Sequence, residues 1–241
     1  MLSISTFATN SSTLATNGSA YAIGEYNNFT DTWTNYTTSN IGSSGNFDIG
    51  KGYQMGSIGS GSGILVFTGS PTSTNQTQSI INNNAANSGA GRRWNLVANP
   101  FPSYIQGNTN AHSTNNFLTV NSDKLDDSYE AIYGYDADGT GYTIYNNTSA
   151  ALRLAPGQAF MVASDNTSSD NISFTTQMRT VVGGDDLILG RIMQDSYELI
   201  LSIKQGDTEI DQTKFYFQDG LNLGLDPAYD AGHFNQQAAL T

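Results

Sequence analysis

Read as a pattern of apolar and polar positions, the chain shows no sustained 3.6-residue period. Short β-favouring runs recur instead, separated by Gly, Asn and Ser. The clearest are AYAIGEY (20–26), DTWTNYTT (31–38), FDIGKGYQM (47–55), GILVFTG (63–69) and RWNLVAN (93–99). EAIYGYD (130–136), GYTIYN (141–146), QAFMVAS (158–164), NISFTT (171–176), YELILSI (197–203) and TKFYFQD (213–219) follow. So many brief strands predict an all-β chain, a jelly-roll-like antiparallel β-sandwich.

Turn chemistry supports that reading. Asp138-Gly139 and Gly141 supply the positive φ of a tight hairpin between the strands around Tyr133 and Ile144. Pro156-Gly157 forms a turn pair ahead of an apolar strand, and KQGDTEIDQ reads as a polar hairpin loop. In WNLVANPFPSYI, Pro100 lacks a donor and biases Asn99 toward extended geometry, and Pro102 stops the strand from resuming. The block is most simply a rigid exit from a core strand. The polar spans 70–91 and 106–115 read as surface loops.

A hinge is expected at Gly183-Gly184, followed by Asp185-Asp186 and a strongly amphipathic pattern. This divides the chain into a jelly-roll-like sandwich over 1–178 and, over 185–241, the first strands of a second sandwich or a packed extension. So few strands rarely stand alone, so the chain is expected to continue past Thr241.

Composition narrows the function. The chain has 241 residues, a net charge of −12, 25 glycines and no cysteine. Its first 120 residues hold only Glu25, Asp31, Asp48, Lys51, Arg92 and Arg93 as charged groups, so the acidic excess lies in the second half. Such a balance repels a phosphate backbone, which excludes nucleic acid as a partner. Disulfides and thiolate metal sites are excluded as well, and no apolar run approaches the roughly 20 residues of a membrane-spanning helix. The amino terminus has no complete export signal, so a secreted form would have lost one or be an excised fragment.

The inventory for proton transfer is poor. There are two histidines, His112 and His233, and no GxSxG nucleophile motif, so we expect a non-catalytic module. Calcium is the expected cation, because hard ions take about six to eight oxygens and Asp-rich loops supply them. The candidates are Asp123, Asp126 and Asp127; Asp136 and Asp138; and Asp226 and Asp230. The same side chains serve equally as turn caps. Sugar binding asks for exposed aromatics beside polar or guanidinium groups, which singles out Trp33, Tyr36, Arg92, Arg93, Phe101 and Tyr104. Trp94, at the start of an apolar strand, is expected in the core.

Taken in order, GKGY (50–53), FTG (67–69), WNLVANPFPS (94–103), AIY (131–133), LAPGQAF (154–160) and DPAYDA (226–231) resemble a known group. These are the non-catalytic β-sandwich regions that precede the sorting domain in large proteins of the Bacteroidetes type IX secretion pathway. The resemblance runs from about residue 45 onward, with Arg93 standing where that group usually has Gly. It implies a secreted or outer cell-surface protein, and a partner in the type IX export machinery reached through a carboxy-terminal domain absent here. Adhesion or binding of polysaccharide or cell-surface glycan is the expected role. The alternatives are an ancillary region of a secreted polysaccharide-degrading enzyme and a structural spacer presenting a sorting domain.

Overall fold

A computed structural model describes residues 2–58, 65–85, 92–135, 141–184, 197–206 and 208–217. The chain divides into two compact units, Met1–Ile188 and Leu189–Thr241.

In the first unit the strands are Thr16–Asn17 (β1), Ala20–Asn27 (β2), Thr32–Thr37 (β3), Gln54–Met55 (β4), Gln76–Ile80 (β5), Trp94–Ala98 (β6) and Tyr104–Gln106 (β7). Ile132–Tyr135 (β8), Tyr142–Tyr145 (β9), Arg153–Leu154 (β10), Ala159–Ala163 (β11), Asp170–Phe174 (β12) and Arg179–Thr180 (β13) complete it. The second unit contains the hairpin of Tyr197–Gln205 (β14) and Thr208–Phe217 (β15). All pairings between these strands are antiparallel, and the protein is all-β, with two short α-helices among the described residues, Ile4–Asn10 (α1) and Phe117–Asn121 (α2).

The helices escape a search for long periodicity because each is one or two turns, defined by its cap. The Ser3 hydroxyl accepts from the Thr6 N–H at 3.4 Å, and Ile4, Phe7 and Ala8 form the buried face of α1. The Asn116 side chain accepts from Thr119 N–H at 2.9 Å and starts α2.

Two cores result. Around α1, Ile4, Phe7, Leu14, Ile23 and Ile41 pack with half-buried Tyr36, Phe47 and Tyr53 against the β1–β4 sheet. The larger core includes Val97, Phe101, Phe117, Phe160, Ile172 and Phe174. It lies on one face of the sheet ordered β6-β11-β8-β9, which supplies Val97, Phe160, Val162 and Ile132. The segment around Lys51 joins the two regions. Gly52 N–H donates to Leu96 O at 3.0 Å and Ala98 N–H to Gly50 O at 2.8 Å, so residues 50–52 flank β6. A Cβ on Gly52 would stand 2.5 Å from Leu96 Cγ, which is why this crossing takes glycine.

Buried asparagines replace missing strand pairs. Asn108, fully buried, donates through Nδ2 to the carbonyls of Asn146, Ser149 and Ala150 and accepts from Leu152 N–H at 3.1 Å. Asn121 exchanges Nδ2 to Ser173 O at 3.0 Å and Ser173 N–H to Oδ1 at 2.7 Å, as a neighbouring strand would.

The span 70–91 therefore differs from the surface loop expected of it. It contains β5, paired with β12 over five residues, and Ile80 enters the larger core. The span 106–115 is likewise held by Asn108. The run 47–55, expected as one strand, keeps only β4 and the isolated bridge at Lys51. In 63–69 the described residues 65–69 are not in a strand.

Candidate functional site

The sheet β6-β11-β8-β9 has a second face. Ala163 opposes Trp94, Met161 opposes both Leu96 and Tyr133, Tyr133 opposes Ile144, and Tyr135 opposes Tyr142. Side chains alternate along a strand, so all of these lie on one face, away from Val97, Phe160 and Val162. Three of them are among the most exposed large apolar side chains: Tyr135 at 43%, Tyr142 at 45% and Ile144 at 54%.

Ring contacts connect this face. The Trp94 ring meets Tyr133 edge-on at 4.6 Å and Tyr129 at 5.6 Å, and Tyr135 meets Tyr142 at 5.2 Å. On the β2–β3 hairpin Tyr26 opposes Trp33, with ring centroids 5.3 Å apart, and Trp33 is 42% exposed. The Tyr26 hydroxyl donates to Asp31 Oδ1 at 2.5 Å, and burial, that carboxylate and then Tyr142 push its pKa up. The Tyr142 phenol is also raised, by burial and then by Tyr135. The hairpin is anchored beside the sheet by Asn28, whose Nδ2 donates to Trp94 O and Arg92 O, each at 2.7 Å. The result is a strip of aromatic surface running through Tyr129, Trp94, Tyr133, Tyr135, Tyr142, Tyr26 and Trp33.

Of the residues singled out from sequence for a ligand, Trp33 lies on this strip. Tyr36, three positions on, points to the other side of β3; its hydroxyl donates to Glu25, and its pKa is raised by burial and then by that carboxylate. Glu25 also binds Lys51 Nζ at 2.6 Å. Arg93 Nη1 meets Asp126 Oδ2 at 2.5 Å while its guanidinium covers the Tyr129 ring at 4.6 Å, so it borders the strip in a committed pair. The Arg92 guanidinium lies 5.8 Å from the Phe29 ring centre, with Nε and Nη1 buried and without hydrogen-bond partners. Phe101 is 2% exposed and belongs to the larger core, which removes it from any surface role. Tyr104 opens β7 and is half-buried; it does not project from a loop. Trp94 is half-buried on the outer face and is not part of either core cluster.

Three of the carboxylates expected to hold calcium lie among the described residues. Asp126 pairs with Arg93 and caps Ser128 N–H at 3.0 Å, Asp123 meets Lys124 at 3.1 Å, and Asp127 is exposed. Among the described residues no three His, Asp or Glu side chains gather as a metal site. Asp136, Asp138, Asp226, Asp230 and His233 lie outside the described residues. His112 Nδ1 accepts from Thr114 N–H at 3.2 Å and Asn115 N–H at 3.0 Å, so this ring organises a turn.

The sequence reading missed Tyr129, Tyr133, Tyr135, Tyr142 and Tyr26 as site residues. The signal was present, since EAIYGYD and GYTIYN both alternate and their hairpin pairing sets Tyr133, Tyr135 and Tyr142 on one face, with Tyr145 on the other. What sequence did not supply was the inward face: Val97 and Phe160 mark it only once the register is known.

Among the described residues no helix is long and apolar enough to cross a membrane. Set against known proteins, the chain matches no family model, no curated protein and no solved structure.

Proposed function

We propose that the first unit is a non-catalytic, extracellular carbohydrate-binding module serving attachment or adhesion. The observation that carries this reading is the aromatic strip on the outer face of the β6-β11-β8-β9 sheet, continued by Tyr26 and Trp33. A sugar ring has an apolar C–H face and hydroxyl edges. Exposed Trp and Tyr rings take the first, and phenol hydroxyls bond to the second. A flat, open surface suits an extended polymer better than a small molecule, which favours an enclosed pocket.

The test is retention on insoluble polysaccharides, comparing the parent with a Trp33→Ala, Tyr142→Ala double variant. Neither side chain belongs to a core cluster, so their loss leaves the cores intact. Each stacking ring contributes about 1 kcal/mol, so the double variant should bind roughly thirtyfold more weakly. Equal retention of parent and variant would overturn the proposal.

A further inference from the structure

We propose that the strip selects uncharged polysaccharide and rejects chains bearing uronate or sulfate groups. This deepens the carbohydrate-binding reading above and rests on it. The argument comes from the charges that border the strip. At the Trp94 end, Tyr129 closes a turn in which its N–H donates to Asp126 O at 2.8 Å, so exposed Asp127 lies within that turn and Glu130 follows it directly in the chain. At the other end Asp31 holds the Tyr26 hydroxyl.

The neighbouring cations do not offset these carboxylates for an incoming ligand. Arg93 is neutralised by Asp126 and lies flat on Tyr129. Arg92 lies 5.8 Å from the Phe29 ring centre, and its Nε and Nη1 are buried. Burial, and then the Asp127 charge, raises the Glu130 carboxyl. An anionic polymer laid along the rings would bring further negative charge against Asp127 and Glu130. Like charges brought together at an interface are a recognised means of refusing the wrong partner. A neutral polymer meets aromatic faces and hydroxyl acceptors without that penalty.

The experiment measures binding of the full chain to a neutral panel (β-glucan, mannan, chitin) and an anionic panel (alginate, heparin), at low and high salt. The expected result is retention on at least one neutral polymer, independent of salt, and at least tenfold weaker binding to both anionic ones. An Asp127→Asn, Glu130→Gln double variant should keep its neutral binding and gain severalfold on alginate at low salt. Alginate or heparin binding as tight as the neutral polymer would overturn the selectivity and leave the carbohydrate-binding reading standing. Binding to neither panel would overturn both.

Discussion

Replacing Asn99 by Asp exchanges one atom and reverses the hydrogen bonding at the corner where the core strand ends. Asn99 is 2% exposed, and its Nδ2 donates to Leu154 O at 3.1 Å, Ala155 O at 3.0 Å and Ser103 O at 2.8 Å. Its Oδ1 accepts from Phe101 N–H at 3.0 Å, a bond a carboxylate would retain. The substitution points an oxygen at three carbonyls. An unsatisfied buried acceptor costs about 1–3 kcal/mol, so two buried carbonyls deprived of a donor amount to about 4 kcal/mol. For a domain of this size each kcal/mol moves the melting temperature about 2–4 °C, so N99D should melt ~12 °C below the parent at pH 7. The pH dependence separates this cause from general damage. Burial against carbonyls raises the introduced carboxyl above its unfolded value of about 3.9. The folded state then binds more protons than the unfolded, and stability falls as pH rises through the folded pKa. The deficit relative to the parent should therefore be smallest below about pH 4, where the protonated acid regains one donor. N99L, which removes the donor without adding a charge, should show a deficit with no such pH dependence. Scanning calorimetry across pH measures all three proteins. An N99D protein that melts within about 2 °C of the parent at pH 7, or whose deficit grows in acid, would refute the reasoning.

Gly52→Val should destabilise by about 1–3 kcal/mol, read from urea unfolding, because the new Cβ meets Leu96 Cγ at 2.5 Å and Ala159 Cβ at 3.1 Å; an unchanged midpoint would show that the crossing yields without strain. Alkaline titration followed by tyrosine absorbance should show a late-ionising class. Burial above all pushes Tyr53 up to about 12, opposed by the hydrogen bond its hydroxyl accepts from Asp48 N–H and aided less by the Asp48 and Glu25 charges. Since that folded pKa is raised, its contribution to stability is present below about pH 10 and is lost as pH rises toward 12; ionisation of all tyrosines near pH 10 with the fold intact would contradict it. Asn28→Ala removes the donor to Ile81, Arg92 and Trp94 carbonyls, and should lower polysaccharide retention more than it lowers the melting temperature, since it frees the hairpin carrying Tyr26 and Trp33.

Much of the strand set was legible because alternation and turn chemistry act locally. Gly157 has φ +71°, as the Pro156-Gly157 pair predicts, and β8 and β9 pair across the expected hairpin. Asn99-Pro100 proved to be a corner, and its partner lies in the second recognisable block: Asn99 N–H donates to Gln158 O at 3.0 Å, and Gly157 N–H to Asn99 O at 3.1 Å. The strand Gln76–Ile80 was hidden because QTQSI carries a single buried apolar residue, and it exists by pairing with β12. The asparagine clamps were hidden for a related reason. Asn108 and Asn121 look like loop polarity until their carbonyl partners, some 40 to 50 residues away, are brought to them. The site was half legible. Trp33 could be found from exposure reasoning, whereas Phe101 could not be told from a surface aromatic, since a proline-flanked ring goes in or out according to what lies beneath it.

The crossing at residues 50–52 makes the amino-terminal region and the larger sheet interdependent. Lys51 is tied to Glu25 of β2 through its side chain and bridges Val97 of β6 through its backbone, while Phe47 and Tyr53 on either side pack around α1. Tension applied at one region passes to the other through this short tether and through the Asn28 bonds to Arg92 O and Trp94 O. Two small cores that would each be fragile alone thereby share one fate.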